Sequence, residues 1–424
     1  MPIRQLSPAV VAQIAAGEVI ERPAAVVKEL VENAIDAGAR TVKIEIRGGG
    51  LDLIRVVDDG CGIPAAELEL AFNRHATSKL VTVGDLFDVH TLGFRGEALA
   101  SVAAVADVTV VSRPESQSAG GLIELRAGEV VGRGHRGCGV GTTVSVRNLF
   151  AGLPVRLKFL RSAKSETGQV AHLVTQYALS YPEVRFSIIA EGRPLFGSLG
   201  SGDRLEALAR VYGTSTARAL LSASSVDGPI VLNGWCSPPE LTRASRAYVS
   251  FFVNRRWVRD RALAMAVDEA YRAIIPRGRY PIVALDLTIP AADLDVNVHP
   301  AKAELRFAGE AKIRELVRSA IQRALDDRQP VNLRAPRPMS PSGATQVRLP
   351  APVAPPIQAR RLSLAIAEPE PADYSVPVRG PQLPELRVIG QMGDTFIICE
   401  GIAGLYLVDQ HRAHERVLHD RFAQ

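Results

Sequence analysis

The chain has 424 residues, 47% hydrophobic, 22% charged and 5% aromatic, a composition that excludes collagen, a coiled-coil rod and wholesale disorder; at about 100 to 200 residues per domain it holds two to four domains. No apolar run approaches the roughly 18 residues that span a bilayer, and the start, MPIRQLSPAV, lacks a secretory pattern, so the expected location is cytoplasmic without membrane contact. A net charge of +5 and a pI near 9.1 permit a nucleic-acid partner without requiring one, and the scattered Cys61, Cys138, Cys236 and Cys399 offer neither a CxxC pair nor a disulfide scaffold.

Ser7, with Pro8 at the first helical position and Gly17 at the end, predicts a short helix. A second helix is predicted from about Pro23 to Ala37, closing at Gly38, followed by strands at about Val42 to Ile46 and Leu53 to Val57 and then the turn Asp58-Asp59-Gly60-Cys61-Gly62. The second helix places Val27, Leu30, Val31, Ala34 and Ile35 on one face and Glu29, Glu32, Asn33 and Asp36 on the other. A solvated polar face reads the same way. Against that, Glu32 and Asp36 are like charges at i,i+4, costing about 0.2 to 0.5 kcal/mol, and the stripe contains no Lys or Arg to offset them. Oxygen donors without a counter-ion suit Mg²⁺, with Asn33 giving one oxygen and Glu29, one turn earlier, orienting a water. Asp58-x-Gly60-x-Gly62 is either a plain Asp-Gly turn or a carboxylate that accepts the amino hydrogens of adenine beside glycines that let the base approach.

Further on, Arg74-His75-Ala76-Thr77-Ser78-Lys79 clusters hydroxyls with a cation, which suits phosphate or nothing in particular. Thr91-Leu92-Gly93-Phe94-Arg95-Gly96-Glu97-Ala98-Leu99 is a Gly-rich stretch feeding a helical run: either Gly93 and Gly96 are plain turn residues, or the first N–H groups of the run form an anion site. Gly132-x-Gly134-x-x-Gly137 matches GxGxxG only formally, because a strand-like run follows where a dinucleotide fold needs a helix. The sequence Asp295-Val-Asn-Val-His-Pro-Ala-Lys302 predicts a strand and a turn projecting one Lys, the only one between Lys164 and Lys312. A surface Lys is ordinarily just solvated, but a compact point charge also suits a terminal phosphate. Everything up to about residue 330 alternates helical and strand patterns, an α/β (α+β) organisation. Residues 330–384 hold 13 of the 28 Pro and read as a disordered linker. Three β-like runs, RVIGQ, TFIICE and GLYLV, come after it.

In wording and order, IAAGEVIERPAAVVKELVENAIDAGA, DDGCGI, RHATSK, TLGFRGEALASV, GTTVSVRNLF, FFVNRRWVRDR and DVNVHPAK resemble the MutL family, the DNA mismatch-repair ATPases of the GHKL superfamily. The resemblance implies a Bergerat-type GHKL ATPase sandwich over 1–205, a ribosomal-protein-S5-like domain over 206–329, the linker over 330–384, and the start of a truncated C-terminal domain over 385–424. It implies ATP and Mg²⁺ as cofactors. Glu29 would then be the general base, Asn33 the Mg²⁺ ligand and Asp58 the adenine reader, within the Gly60 and Gly62 turn. Thr77, Ser78, Lys79 and the segment Gly93, Phe94, Arg95, Gly96, Glu97, Ala98 and Leu99 would close over the phosphates, with Thr143 near the base. Lys302 would reach the terminal phosphate from the second domain, and Arg261 would touch DNA.

The implied function is an ATP-dependent matchmaker that hydrolyses ATP slowly, dimerises on ATP, meets a mismatch-recognition protein and binds the DNA backbone without sequence preference. The alternatives are another GHKL module, of chaperone or type II topoisomerase class, and an ATP-binding scaffold without turnover. The tail residues Asp409, His411 and Glu415 are similar to an endonuclease motif but depart from it at Arg412 and Asp420. The chain stops before the motifs that complete such a metal site, so it reads as a fragment not expected to nick DNA.

Overall fold

The computed structural model describes residues 20–73, 76–77, 91–93, 96–295, 306–327, 387–392, 396–401 and 404–409. The predicted helix at Ser7–Gly17 and the linker lie outside them. The chain divides into two units, Met1–Ile366 and Ala367–Gln424.

Proline at the first helical turn needs no N–H partner, and α1 accordingly starts at Pro23 and runs to Asp36. Then come β1 (Thr41–Arg47), β2 (Leu53–Asp58), α2 (Ala98–Val105), β3 (Asp107–Arg113), β4 (Gly120–Arg126), β5 (Glu129–Arg136), β6 (Gly141–Arg147), α3 (Pro154–Phe159), α4 (Ala163–Ser180), β7 (Arg185–Ala190) and β8 (Arg193–Gly197). The eight strands form one sheet in the order β5-β4-β3-β6-β2-β1-β7-β8, with β1 and β7 parallel and the other pairs antiparallel. Period-two alternation gives the sheet two unlike faces. Val42, Ile44 and Ile46 of β1 are buried, whereas Glu45 pairs with Arg47 at 2.7 Å and with Arg55 at 2.9 Å. The helices cover the apolar side: α1 packs on β2 and α4, α4 on β7, and α2 on β3 and β4. The formal GxGxxG match falls largely on β5, an edge strand with no helix after it, as its sequence context requires.

Helices α5 (Arg204–Tyr212) and α6 (Thr214–Ala219) bury Ala207, Leu208, Val211 and Ala217 in this first core. The second core is built on β9 (Leu221–Asp227), β10 (Ile230–Cys236), β12 (Val249–Val253), β13 (Arg256–Val258) and β15 (Val283–Thr288), ordered β13-β12-β15-β10-β9. Two-residue strands β11 (Thr242–Arg243) and β14 (Tyr280–Pro281) pair separately. Helices α7 (Arg261–Tyr271) and α8 (Glu310–Asp327) supply Leu263, Ala266, Val267, Val317 and Ile321 to that core. Parallel pairing of β12 with β15 requires a crossover, and α7 lies in it.

The β12–β13 hairpin turns on Asn254 and Arg255, both at positive φ, the geometry of a two-residue turn that matches strand twist. Asn254 fastens it by donating to the Ile289 carbonyl at 2.8 Å and accepting the Ile289 N–H at 2.9 Å. Arg255 reaches the first core, donating to the Ser180 carbonyl at 3.2 Å and stacking 4.2 Å from the Tyr181 ring. Trp257 meets His172 edge-on at 5.5 Å. Arg204 pairs with Asp286, yet burial outweighs that pairing and pushes the Asp286 carboxyl up to about 6.

Past Phe307 the described backbone continues into α8, and β16 (Leu294–Asp295) pairs antiparallel with β17 (Arg306–Phe307). In the second unit β18 (Arg387–Met392), β19 (Phe396–Gly401) and β20 (Gly404–Asp409) form an antiparallel meander. Among the described residues no helix is long and apolar enough to cross a membrane.

Candidate functional site

The polar row of α1 leads the first half of the site. Glu29 and Asn33 are half-buried one turn apart. Glu32 departs from the expected solvated row: its side chain is only 8% exposed, and it is covered by Tyr177 of α4, whose hydroxyl donates to Glu32 Oε1 at 2.8 Å. The expectation of a carboxylate stripe without a counter-ion is also corrected. Lys28 Nζ lies 2.9 Å from Glu32 Oε1 and 3.2 Å from Glu29 Oε1. Its long stem carries the charge from the edge of the polar row onto two carboxylates, a reach that a helical wheel does not display. Burial works against the charged amine, but Glu29 and Glu32 more than offset it, so Lys28 holds its proton more firmly than a free lysine. Burial, and Glu32 beside it, push the Tyr177 phenol well above its ordinary range, so it stays a donor.

Asp36, at the end of the same row, accepts the backbone N–H groups of Leu92 at 2.9 Å and Gly93 at 3.0 Å. The like charge at i,i+4 from Glu32 therefore has an occupation of its own: it ties α1 to the Gly-rich stretch. Thr91 closes that stretch locally, its hydroxyl donating to the Gly93 carbonyl at 2.8 Å, and its own carbonyl accepts from Arg256 of β13. Gly96, at φ +62°, passes so near the backbone of Ala76 that a Cβ would lie 2.5 Å from the Ala76 carbonyl oxygen. The hydroxyl-rich segment and the Gly-rich segment thus meet at Ala76 and Gly96, next to the exposed Thr77. Glu97 sits at the N-cap of α2, with Ala98 and Leu99 in its first turn.

The second half of the site is the turn after β2. Asp58 Oδ1 accepts N–H groups from Gly60 at 2.9 Å and Thr142 at 3.2 Å, which fixes the plane of a half-buried carboxylate. Burial raises its pKa against the pull of those two bonds. Asp59 is the structural partner: against the slight desolvation of this exposed residue, the N–H groups of Thr41 and Arg40, each at 2.7 Å, hold its carboxyl below the usual range. Beyond Gly60, the Cys61 N–H bonds the Ala37 carbonyl at 3.0 Å, anchoring the turn that holds Gly62 to the end of α1. Gly141, at φ +115°, crosses over the turn, and a Cβ there would sit 2.1 Å from the Asp58 carbonyl oxygen. Thr143 follows on β6, opposite Val57 of β2.

The structure therefore gathers the α1 row, the Asp58 turn, the start of β6 and the described part of the Gly-rich stretch around the C-terminal end of α1. Ser78, Lys79, Phe94, Arg95, Lys302, His411 and Glu415 lie outside the described residues. Arg261 is exposed at the start of α7, behind an Asp260 N-cap whose carboxylate accepts the Leu263 N–H at 2.9 Å. Asp409 ends β20, and no cluster of three metal-ligating side chains occurs among the described residues. Lys28, Tyr177, Thr142 and Arg256 escape the sequence reading; only Lys28 carries a local signal, its i,i+4 spacing to Glu32.

Residues 21–127 match the family model described as histidine kinase-, DNA gyrase B-, and HSP90-like ATPase. Residues 208–326 match DNA mismatch repair protein, C-terminal domain, and residues 389–424 match MutL C terminal dimerisation domain. A DNA mismatch repair protein MutL of Desulforudis audaxviator is 41% identical over 424 residues, spanning 99% of this chain and 73% of that protein. The chain belongs to the MutL family of DNA mismatch-repair proteins. The MutL of Acidiphilium cryptum is 47% identical over 429 residues, covering 98% of this chain and 73% of its own length. Among solved structures, the Aquifex aeolicus MutL ATPase domain complexed with ADP aligns at a TM-score of 0.51 and 29% identity, over 70% of this chain and 98% of that one. An N-terminal domain of a DNA repair protein aligns at 0.66 and 26% identity, over 75% and 98%. Residues 21–127 accordingly belong to a nucleotide-binding ATPase domain of GHKL type, and the MutL relationship assigns the chain to mismatch repair.

Proposed function

We propose that this MutL-family chain hydrolyses Mg-ATP with Glu29 as general base, Asn33 as the protein ligand of Mg²⁺ and Asp58 as the reader of adenine. The observation that carries the reading is the convergence on the end of α1: one carboxylate oriented by Gly60 and Thr142, and a second held beside Asn33. Mg²⁺ takes oxygen donors, keeps several waters and is completed by substrate phosphates, so a single amide oxygen from Asn33 is a fitting donor. Bound there, the ion would neutralise phosphate charge. Glu29 would accept a proton from the attacking water, and Asp58 would accept the exocyclic amino hydrogens through its carboxylate. Gly60, Gly62 and Thr143 would border the base. Thr77, Ser78, Lys79 and the segment from Gly93 to Leu99, Phe94 and Arg95 included, would enclose the phosphates, and Lys302 would meet the terminal one.

ATP that contacts the enclosed state more than the open one shifts the population toward closure, and closure would bring two N-terminal halves together. The match over residues 389–424 to a dimerisation domain supports a homodimer. The remaining partners in this reading are a mismatch-recognition protein and the DNA backbone, met in part by Arg261. Glu29→Ala decides the core of the proposal: ATP binding is retained and hydrolysis is abolished, whereas unchanged turnover defeats it. Asn33→Ala should remove the rise in melting temperature that Mg-ATP gives the unaltered chain. DNA binding should weaken steeply with salt, as backbone contacts do.

A further inference from the structure

We infer that Tyr177, Glu32 and Lys28 form a positioning set that holds the Glu29 carboxylate ready to receive a proton from water. This rests on Glu29 being the general base.

The contacts form one chain from core to site. Tyr177, only 5% exposed on α4, donates to Glu32 Oε1 at 2.8 Å. The same oxygen holds Lys28 Nζ at 2.9 Å, and that nitrogen lies 3.2 Å from Glu29 Oε1. Two helices 145 residues apart in sequence at this contact are thereby joined through charge. Stability does not explain the arrangement. A buried carboxylate with its ion pair roughly breaks even, at best, against apolar side chains of the same volume. Beside it, Val26, Val27, Leu30, Val31, Val170, Leu173 and Val174 supply an apolar interface that needs no ion pair.

Function explains it better. A free lysine samples many rotamers, so an ordinary pair between neighbours Lys28 and Glu29 would be loose and worth little. Once Glu32 fixes the amine at a second point, and Tyr177 fixes Glu32, the third contact is made in advance. The ammonium then engages Glu29 Oε1, which orients the carboxylate and directs the other oxygen toward a water. It also offsets the repulsion that Glu32, one turn away, exerts on an ionised Glu29. A base must stay ionised at neutral pH to accept a proton.

The test is steady-state ATP hydrolysis by the whole chain with Mg²⁺, alongside melting with and without ATP. Displacing a reacting group by about 1 Å costs on the order of 100-fold. Lys28→Met should therefore lower kcat about 10- to 100-fold with KM for ATP changed less than about threefold, the signature of an interaction used in the chemical step. Lys28→Arg should recover kcat to within about fivefold of the unaltered chain, since it keeps the charge and reach. Tyr177→Phe removes one oxygen from a packed ring and should lower kcat about threefold at constant KM and constant ATP-induced melting shift. If Lys28→Met does not fold, Tyr177→Phe decides. The inference is overturned if Tyr177→Phe leaves kcat unchanged, or if its kcat falls only together with the ATP-induced shift. Glu29→Gln runs as the reference. Full turnover there would remove the general-base reading itself, whereas its loss with normal Tyr177→Phe and Lys28→Met would remove only the positioning set.

Discussion

At the Asp58 turn the geometry is made by the main chain: Gly60 and Thr142 offer N–H groups to one oxygen, and Gly141 crosses the Asp58 carbonyl with no room for a methyl group. On α1 the geometry is made by side-chain charge, with Lys28 shared between Glu29 and Glu32 and Asp36 holding Leu92 and Gly93. A turn built from backbone has one setting. A row built from long charged side chains keeps its setting only while each contact from Tyr177 through Glu32 and Lys28 holds. On the proposed reading, identity of the base and reactivity of the phosphate are handled by parts of different construction.

The contrast breaks most directly at Gly141→Ala. The new Cβ meets main chain rather than a flexible side chain, so we expect a loss of about 3 kcal/mol in unfolding free energy and no rise in melting temperature with ATP. A melting temperature close to that of the unaltered chain would show that the turn yields. Next comes Asp58→Asn, which keeps an oxygen for Gly60 and Thr142 while presenting a donor toward the base. ATP affinity should fall about 100-fold and preference over GTP should shrink, read by nucleotide titration. Arg256→Ala removes the bond from the second core to the Thr91 carbonyl; about 1 kcal/mol of stability should be lost, read by denaturant unfolding. 

A further effect, confined to acid pH, concerns His172, whose pKa burial, with Arg259 nearby, lowers to about 4. Between pH 6.5 and 4 the unfolded chain takes up a proton there that the folded chain refuses, so stability falls as pH drops through that window. His172→Phe keeps a ring against Trp257 and should flatten the melting temperature between pH 7 and 5.

The elements legible in the sequence are those specified locally. Pro23 and Gly38 bracket α1, whose last helical residue is Asp36 rather than the expected Ala37. Strands β1 and β2 and the three strands after the linker stand where alternation places them, each within a residue or two at the ends. Contacts made across the chain were not legible. The Asp58–Thr142 bond spans 84 residues and the Asp36–Gly93 bond 57, and in each the donor is a backbone N–H that no side chain marks in the sequence. Lys28 was legible in principle, but a wheel sorts residues by the direction of Cα–Cβ, and a four-carbon stem does not end where it begins. The buried state of Glu32 depends on Tyr177, which no pattern near Glu32 announces.

Glu29 and Asp36 stand seven positions apart on one unbroken helix, nearly two full turns, so both project to the same side of a stiff rod about 10 Å from each other along its axis. That rod is a ruler. A substitution between them that keeps the helix leaves the interval intact, whereas a proline would kink it and a single inserted or deleted residue swings one carboxylate about 100° around the axis. Selection on this segment should accordingly tolerate exchanges on its outer surface far more readily than any change in its length.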